Sequence, residues 1–292
     1  MMSEPAKIIW LASFPKSGNT WFRILLANLA AGEAGPSDIN DLYEQGGSAC
    51  NRWEFESLTM LDSALLSYDE IDCLRPLVYE AMTAEAVGQR WVKVHDAYTI
   101  TPSGEPLFGR GLSCAAVYVV RDPRDVAVSL AFHHSTTLDA AVRLVNSPDG
   151  VYCESRDGQD RQLRQRLAGW SGHVTSWLDQ TEVPVHMVRY EDLLAAPARH
   201  FAAALKFAAR PATEAEIERA VRFADFAELQ RQENEKGFME RISRTTPFFR
   251  SGRAEGWREM LSAEQVAAIE RCNGAVMARL GYGLETKCRR TA

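Results

Sequence analysis

The sequence predicts an α/β fold, a single domain with a mainly parallel central sheet flanked by helices. Short apolar segments that fit strands alternate along the chain with segments that fit helices, which is typical of this fold class. The run from Cys114 to Val120 is continuously apolar, as expected of a parallel strand covered on both faces. The 292 residues can bury a large core, and no linker or internal repeat divides them. We therefore expect one domain over residues 1–292.

The predicted strands and helices follow in order along the chain. Strands are expected over 8–12, 91–95, 114–120 and 184–190. Helices are expected after the first strand, over 70–87 with an interruption at Pro76, over 126–133, over 163–180 and over 262–280. Asp122 and Pro123 suit the start of the helix over 126–133, and Gly281 suits the end of the last one. The segments 146–159 and 237–256 show little periodicity, so we expect loops there.

Composition argues against several classes of protein. The net charge of −6 is not that of a general nucleic-acid binder, although a local basic pocket remains compatible with it. No apolar stretch reaches the length of a membrane helix, and the N-terminus does not resemble a signal peptide. The six cysteines form no C-x-x-C pair, so we expect no metal site and reduced thiols in a cytoplasmic protein.

The turn after the first strand is the most informative segment. It reads Pro15-Lys16-Ser17-Gly18-Asn19-Thr20-Trp21 and opens an apolar helix. A helix N-terminus presents unpaired N–H groups and a positive dipole end, and the lysine and hydroxyls add charge and donors. We therefore predict a phosphate-binding loop, with a simple turn bearing a solvated lysine as the alternative. The nucleoside-triphosphate loop G-x-x-x-x-G-K-[ST] does not fit, because Lys16 precedes the only glycine.

A second candidate site lies at the end of the buried strand over 114–120. Arg121 follows this strand and Ser129 lies on the next helix. Ligands of open α/β sheets bind at the carboxyl ends of strands, and arginine with a hydroxyl suits a phosphate. The alternative is a surface arginine paired with Asp122 or Asp125.

Two further segments carry chemistry. Residues 248–258 form a glycine-hinged loop with three arginines, which could close over a polyanion or be merely solvated. Lys93 and His95 lie two residues apart on a predicted strand and therefore share a face. A histidine is suited to act as a general base, whereas the plain alternative is a histidine bonded to backbone or to Asp96.

In order along residues 8 to about 258, these segments resemble the sulfotransferases that use 3′-phosphoadenosine 5′-phosphosulfate (PAPS), specifically the cytosolic-type domain of bacterial-like small-molecule enzymes. The first loop differs from the family's Pro-Lys-Ser-Gly-Thr-Thr-Trp only at Asn19. The segments around Arg121, Lys93-Val94-His95, Tyr190-Glu191-Asp192 and Arg250–Arg258 match further family segments. The resemblance implies the P-loop-kinase-like sulfotransferase fold. It also implies a set of cofactor-binding residues: Pro15, Lys16, Ser17, Gly18, Asn19, Thr20, Trp21, Arg121, Ser129, Tyr190, Phe226, Phe249, Arg250, Ser251 and Gly252.

Several positions depart from the family pattern. Ser251 replaces a lysine, and Glu255-Gly256 replaces Gly-Asp; Arg253 is a candidate for the missing charge. Asp96-Ala97 follows His95 where the family has Leu-Pro, which bears on the shape of the acceptor pocket. The family's C-terminal dimer motif is not recognisable, so a homodimer stays open.

The resemblance implies transfer of a sulfuryl group from PAPS to a hydroxyl, or secondarily an amine, of a small organic acceptor. His95 would be the base, with Lys16 and Lys93 stabilising charge, no metal, and adenosine 3′,5′-bisphosphate (PAP) as product. Residues 37–90 and 134–160 would face the acceptor, and 237–258 would cover the cofactor. The pair His133-His134 is expected to be structural or solvated. The alternatives are a nucleotide or small-molecule kinase of related fold and a non-catalytic nucleotide-binding relative.

Overall fold

The structure is a computed structural model that describes residues 6–33, 35–42, 47–154, 160–243 and 245–286. Its strands within those ranges are β1 Ile8–Ala12, β2 Gly47–Ser48, β3 Arg90–Val94, β4 Cys114–Val120, β5 Val151–Tyr152, β6 Gln165–Arg166 and β7 Val185–Arg189. Five of them form a parallel sheet in the order β2-β3-β1-β4-β7, and β5 pairs with β6 in an antiparallel ribbon. The predicted parallel sheet is therefore confirmed.

Helices connect these strands. They are α1 Asn19–Ala31, α2 Arg52–Thr59, α3 Tyr68–Glu85, α4 Pro123–His133, α5 Leu138–Asn146, α6 Gly169–Leu178, α7 Tyr190–Ala195, α8 Pro197–Phe207, α9 Glu214–Phe223, α10 Phe226–Lys236 and α11 Ala263–Arg279. Two 3₁₀ helices span Ser63–Leu65 and Gly256–Glu259. In the part of the chain that the structure describes, no helix combines the length and apolar character that a membrane crossing requires.

Strand β1 separates two hydrophobic cores. Alternate side chains of a strand point to opposite faces, so Ile8 and Trp10 enter a core shared with α3, α6 and α11. Ile9 and Leu11 enter the other core, against α1, α8 and α9. Every residue of β1 is buried, which explains its continuous apolar sequence.

The register of the sheet brings the ends of three strands together. Ala12 at the end of β1 pairs with Val94 of β3 on one side and Tyr118 of β4 on the other. The segments that follow these strands, which begin at Ser13, His95 and Arg121, therefore emerge at one edge of the sheet. This edge holds the candidate site.

Local predictions had mixed outcomes. Asp122 caps α4, accepting a hydrogen bond from the Arg124 N–H, and Pro123 is the first residue of that helix, as predicted. Gly281 follows α11 with φ +79°, also as predicted. The interruption at Pro76 is wrong, since α3 continues through this residue.

The helix predicted over 163–180 is wrong in its first part. Strand β6 occupies Gln165–Arg166, and α6 begins only at Gly169. Ala168 and Gly169 both have positive φ, at +57° and +64°, so the chain turns sharply there. The loop predicted over 146–159 contains β5, and its residues 155–159 lie outside the described residues.

Candidate active site

A cleft of about 860 Å³ opens at the carboxyl edge of β1, β3 and β4. It gathers residues that are distant in sequence but were predicted to share a site. Those that line it are Pro15, Lys16, Gly18, Asn19, Thr20, Trp21, Lys93, His95, Arg121, Ser129, Tyr190, Phe226, Phe249, Arg250, Ser251 and Gly252. Ser17 is the one predicted residue that does not line the cleft, because it is fully buried beneath the loop.

The loop before α1 has the geometry of an anion site. Lys16 and Gly18 have φ of +68° and +106°, so the backbone folds tightly between β1 and α1. Gly18 caps α1 without a side-chain hydrogen bond, and the buried Ser17 hydroxyl has no partner among the described residues. A Cβ on Gly18 would lie 2.7 Å from Cδ2 of Tyr190, so only glycine fits against that ring. An uncapped helix N-terminus and an unpaired hydroxyl suit a phosphate or sulfonate oxygen.

The ammonium of Lys16 is buried in the cleft. Its Nζ lies 3.8 Å from the centroid of the Phe248 ring. The pKa of Lys16 is lowered to about 7, mainly by burial and also by the charges of Lys93 and Arg121, against the opposing effect of Glu240. A dianion placed beside it would reverse this shift.

Asn19 stabilises the loop through hydrogen bonds of its side chain. Its Nδ2 donates to the Leu11 carbonyl at 2.8 Å and to Ser13 Oγ at 3.2 Å. The residue is buried, so the amide ties the start of α1 to the end of β1. Asn19, where the family has threonine, thus contributes to the shape of the loop.

His95 lies at the end of β3 with its tautomer defined by a backbone contact. Its Nδ1 lies 2.8 Å from the Ser13 carbonyl, which can only accept, so the geometry assigns the proton to Nδ1 and the lone pair to Nε2. Burial and the neighbouring Lys93 hold the pKa of His95 well below its usual range, so the ring is neutral near pH 7. His173 Nε2 donates to the His95 carbonyl at 3.1 Å and fixes its backbone. The result is an imidazole prepared to accept a proton at Nε2.

Asp96 is directed away from the cleft. Its carboxylate contacts Nη2 of Arg75 at 2.7 Å and Nη1 at 3.1 Å, and both side chains are fully buried. It also accepts from the Cys50 thiol at 3.2 Å and the Arg166 N–H at 3.1 Å. Where the family has leucine, this chain therefore has an internal ion pair that joins the end of β3 to α3.

Arginines gather in the cleft beside the loop, where Arg121 Nη1 lies 3.4 Å from the Lys16 carbonyl. Arg121 donates through Nη2 to the Arg253 carbonyl at 3.0 Å, and its guanidinium lies 4.4 Å from the centre of the Tyr190 ring. The Arg250 guanidinium lies 4.1 Å from the centre of the Phe132 ring. Burial lowers the pKa of Arg250, and the charges of Arg121 and Arg253 lower it further. The Asp125 carboxylate, 3.9 Å from Arg121, opposes this shift but does not cancel it, so the arginines suit an anion.

Residues 237–258, which the sequence predicts to cover the cofactor, are called the covering segment below. This segment approaches the arginines at Gly252. Gly252 has φ +57°, and a Cβ there would lie 2.5 Å from Cδ2 of Phe226. Glu255 also adopts a left-handed conformation, with φ +60°, at the position where the family has glycine. Asp125 accepts from the backbone N–H groups of Glu255 at 2.7 Å and Trp257 at 3.0 Å. The departures in this segment thus do not prevent it from lying against α4.

Aromatic side chains also line the cleft, beside the loop and the arginines. The Trp21 indole donates to the Ala224 carbonyl at 3.1 Å, and its ring meets that of Tyr190 edge to face at 6.0 Å. Phe226 and Phe249 lie in the same wall. A flat, apolar group the size of a nucleobase fits such surroundings.

Comparison with known proteins decides the family. The family model for the sulfotransferase domain matches residues 7–281. The chain belongs to the sulfotransferase family. The family match and the sulfotransferases among its relatives identify it as a PAPS-dependent sulfotransferase.

Curated relatives share about a quarter of their residues with this sulfotransferase. Cytosolic sulfotransferase 17 of Arabidopsis thaliana is 24% identical over 273 residues, covering 89% of this chain and 71% of the relative. Sulfotransferase 1 family member D1 of Rattus norvegicus is 23% identical over 277 residues, covering 90% and 80%. Flavonol 4′-sulfotransferase of Flaveria chlorifolia is 22% identical over 275 residues, covering 90% and 77%.

Solved structures show the same fold. Retinol dehydratase in a complex with retinol and PAP aligns with a TM-score of 0.58 and 18% identity, over 98% of this chain and 85% of that one. A mouse sulfotransferase complexed with PAP aligns with a TM-score of 0.55 and 18% identity, over 93% and 85%. The predicted sulfotransferase fold is confirmed.

The structure also places residues in the cleft that sequence reasoning missed. Glu240 contacts Arg23, Thr20 and Lys93 from the covering segment. No sequence signal marks it, because the nearest of these partners along the chain is 147 residues away, between positions 93 and 240.

Two histidines expected to be structural or solvated, His133 and His134, lie in the cleft wall. Burial first, and then the charge of Lys16, lower the pKa of His133 to about 3, and the same causes lower the pKa of His134. Both rings are therefore neutral near pH 7. His134 Nε2 also meets the Tyr152 hydroxyl at 2.8 Å. Their position at the end of α4, one turn beyond Ser129, was the available signal.

Proposed function

We propose that this sulfotransferase moves the sulfuryl group of PAPS to a hydroxyl of a small organic acceptor, with His95 as general base. The observation that carries the proposal is the state of His95. Its Nδ1 is tied to the Ser13 carbonyl and its pKa is lowered, so Nε2 has a lone pair near pH 7. It lies in the same cleft as the phosphate loop. A base in this state needs no prior deprotonation to take the acceptor's proton.

The residues present fit PAPS. The buried Ser17 hydroxyl without a partner and the uncapped start of α1 suit the 5′-phosphosulfate. The arginine-rich part of the cleft suits the 3′-phosphate, and the buried Nε of Arg121 has no partner among the described residues. We assign the 5′ side to residues 15–20 and the 3′ side to Arg121, Ser129, Arg250, Ser251 and Gly252.

The adenine would lie beside these two groups of residues. Trp21, Tyr190, Phe226 and Phe249 supply the aromatic wall there. We assign to Arg253 the charge that Ser251 lacks, since this residue lines the cleft and its charge contributes to lowering the pKa of Arg250, although its guanidinium pairs with Glu259 at 2.5 Å in this structure.

When bound, PAPS supplies an electrophilic sulfuryl group attached to a phosphate leaving group. His95 takes the proton of the acceptor hydroxyl at Nε2. Lys16, held between Phe248 and the loop, neutralises the charge that grows on the departing oxygen. Lys93 lies two residues before His95, so the two side chains share a face, and we assign to the Lys93 ammonium the stabilisation of the sulfuryl oxygens. Positioning and charge stabilisation thus supply the catalysis, as in phosphoryl transfer. That no metal ion takes part stays a prediction.

The acceptor would enter beside the neutral histidines. The wall there includes the neutral residues His133, His134, Tyr152 and Met239, together with Asp160 and Arg161. Related proteins point the same way, because one acts on flavonol and a solved relative holds retinol. We therefore propose an organic acceptor with a hydroxyl, placed by residues 37–90 and 134–160 and covered on the cofactor side by 237–258.

Three further assignments remain proposals. One domain over 1–292 accounts for the five-stranded sheet with a core on each face. A cytoplasmic location is consistent with relatives that are named cytosolic. A homodimer stays a prediction.

Two measurements test the function. Calorimetry should show PAP binding in the micromolar range or tighter and much weaker binding of ATP with magnesium, whereas a kinase would reverse this order. Incubation with sulfur-labelled PAPS and a panel of phenols and alcohols should give labelled organic esters and PAP. Binding of PAP with no labelled product from any hydroxyl or amine would indicate a non-catalytic relative.

A further inference from the structure

Four carboxylate residues line the cleft, namely Asp125, Asp160, Asp225 and Glu240, and of these Glu240 is the one that contacts Lys93. Glu240 belongs to the covering segment, but its two oxygens contact groups of α1 and β3. Glu240 has no part in the roles proposed above for the phosphate loop and for His95. An acidic residue in a site for a polyanion opposes binding of that anion, so its place requires a reason.

The contacts of Glu240 divide between its two oxygens. Oε1 accepts from Nη1 of Arg23 at 2.5 Å. Arg23 is itself buried in α1, with its side chain 7% exposed, so this contact fixes the carboxylate in space. Oε2 accepts from Thr20 Oγ1 at 3.2 Å and lies 3.5 Å from Nζ of Lys93. Arg23 thus anchors the carboxylate, and the second oxygen faces Lys93.

Lys93 depends on this partner. Its stem has four rotatable bonds, and its side chain is only 13% exposed. Burial lowers the pKa of Lys93, and Glu240 is the largest opposing influence. In turn, the charges of Lys93 and Arg23 overcome burial and keep the pKa of Glu240 below its usual range, so the carboxylate is ionised.

We propose that Glu240 is a positioning residue for sulfuryl transfer, which holds the Lys93 ammonium at the point between the phosphate loop and His95 where the sulfuryl oxygens lie. The inference rests on the proposed function of Lys93. Glu240 touches neither reactant, and its effect passes through Lys93.

Charged and titratable groups surround Lys93 from several elements. They are Glu240 of the covering segment, Arg23 of α1, Lys16 of the phosphate loop, His95 after β3, His133 of α4, Cys50 after β2 and Arg161 of the adjoining cavity wall. Glu240 is the one carboxylate among them, so its removal leaves Lys93 facing cations and neutral groups.

The test is a double-mutant cycle. We expect Lys93→Met to lower kcat by about 10²–10³, the usual effect of removing one stabilising donor. Glu240→Gln should lower kcat by about tenfold or more at saturating PAPS, where a change in cofactor affinity through Lys16 does not enter the rate. The double variant should have the kcat of Lys93→Met within about twofold, since both changes remove the same contribution, that of a correctly placed Lys93 ammonium. Independent, multiplying effects would overturn the inference.

A pH profile separates positioning from a structural role. In Glu240→Gln, kcat should fall with rising pH at a lower pH than in the wild type, because Lys93 then loses its proton more easily. Lys93→Met should lack this limb. Glu240→Asp, which keeps the charge, should restore part of kcat. An equal loss at all pH values would contradict the proposal, and Glu240→Asp serves the same comparison if Glu240→Gln does not fold.

Two controls keep failures apart. Glu235→Gln removes one carboxylate from exposed α10, where it pairs with Arg231 at 2.6 Å, and should leave kcat unchanged. If the wild type neither binds PAP nor transfers sulfuryl groups, the proposed function itself fails. If the wild type does both and Glu240→Gln keeps the wild-type kcat and pH profile, only the inference about Glu240 fails.

Discussion

Lys16 should take up a proton when the nucleotide binds. The pKa of this buried lysine is about 7 in the free protein, whereas a phosphate beside it would raise the pKa toward or above its ordinary value. At pH 8 only about a tenth of the free protein would carry this proton, so binding PAP should take up about 0.9 proton per nucleotide. At pH 6 the uptake by Lys16 should fall to about 0.1.

The affinity should follow the same linkage. If the charged form of Lys16 binds, the Kd for PAP rises about fivefold from pH 7 to pH 8 and about tenfold from pH 8 to pH 9. The sign follows from the lowered pKa, because the cation that binds the anion is present below pH 7 and lost above it. The corresponding penalty is about 1.4 kcal/mol for each pH unit well above the pKa.

Calorimetry in buffers of different ionisation enthalpy measures the proton uptake directly. Lys16→Met should abolish the uptake at pH 8, where the nucleotide's own phosphates are already ionised. Lys236→Met serves as the matched control, since this lysine lies half-exposed and pairs with Asp38 at 2.8 Å. No proton uptake by the wild type at pH 8, or equal uptake by Lys16→Met, would refute the reasoning.

Three other changes have defined outcomes. His95→Ala should lower turnover by at least about 10²-fold while PAP affinity, measured by calorimetry, stays close to that of the wild type; near-normal turnover would rule out His95 as the base. Gly252→Ala should weaken PAP binding, because its Cβ would lie 2.5 Å from Phe226. Gly111→Ala is the control, since Gly111 also has a positive φ, +65°, but has no atom within 4 Å of its Cβ position and does not line the cleft, so PAP affinity should not change. Asp96→Asn should lower the free energy of unfolding in urea by about 3 kcal/mol, since it deprives the buried Arg75 of its nearest carboxylate; a loss no greater than that of the exposed Asp179→Asn would show that the pair is not needed.

The sequence predicts the parts of the site that local motifs determine. A strand, a polar turn and a helix follow from residues 8–27 because hydrophobic periodicity and a helix start are local properties. The convergence of this turn with His95 and Arg121 follows from the order of the elements, since the ends of parallel strands share one edge of the sheet. Their arrangement in one cleft is what the structure adds.

Other features depend on tertiary contacts that no local pattern reports. Glu240 reaches Thr20 across 220 residues of chain, so its place in the cleft was not predictable from its neighbours. Pro76 suggests a break in a helix, yet α3 continues through it because residues on both sides, such as Arg75 and Tyr79, are held in the core. The prediction of a helix from Leu163 was wrong because it followed the spacing of apolar residues alone. The positive φ angles of Ala168 and Gly169 prevent one helix from continuing through this segment.

A crystal structure with PAP bound tests the central claim most directly. We predict the 5′-phosphate against residues 15–20, the 3′-phosphate against Arg121, Ser129 and residues 250–252, and the ring of His95 facing the open space beside the 5′ end. A nucleotide bound elsewhere, or one whose 5′-phosphate lies away from Lys16, would contradict the account.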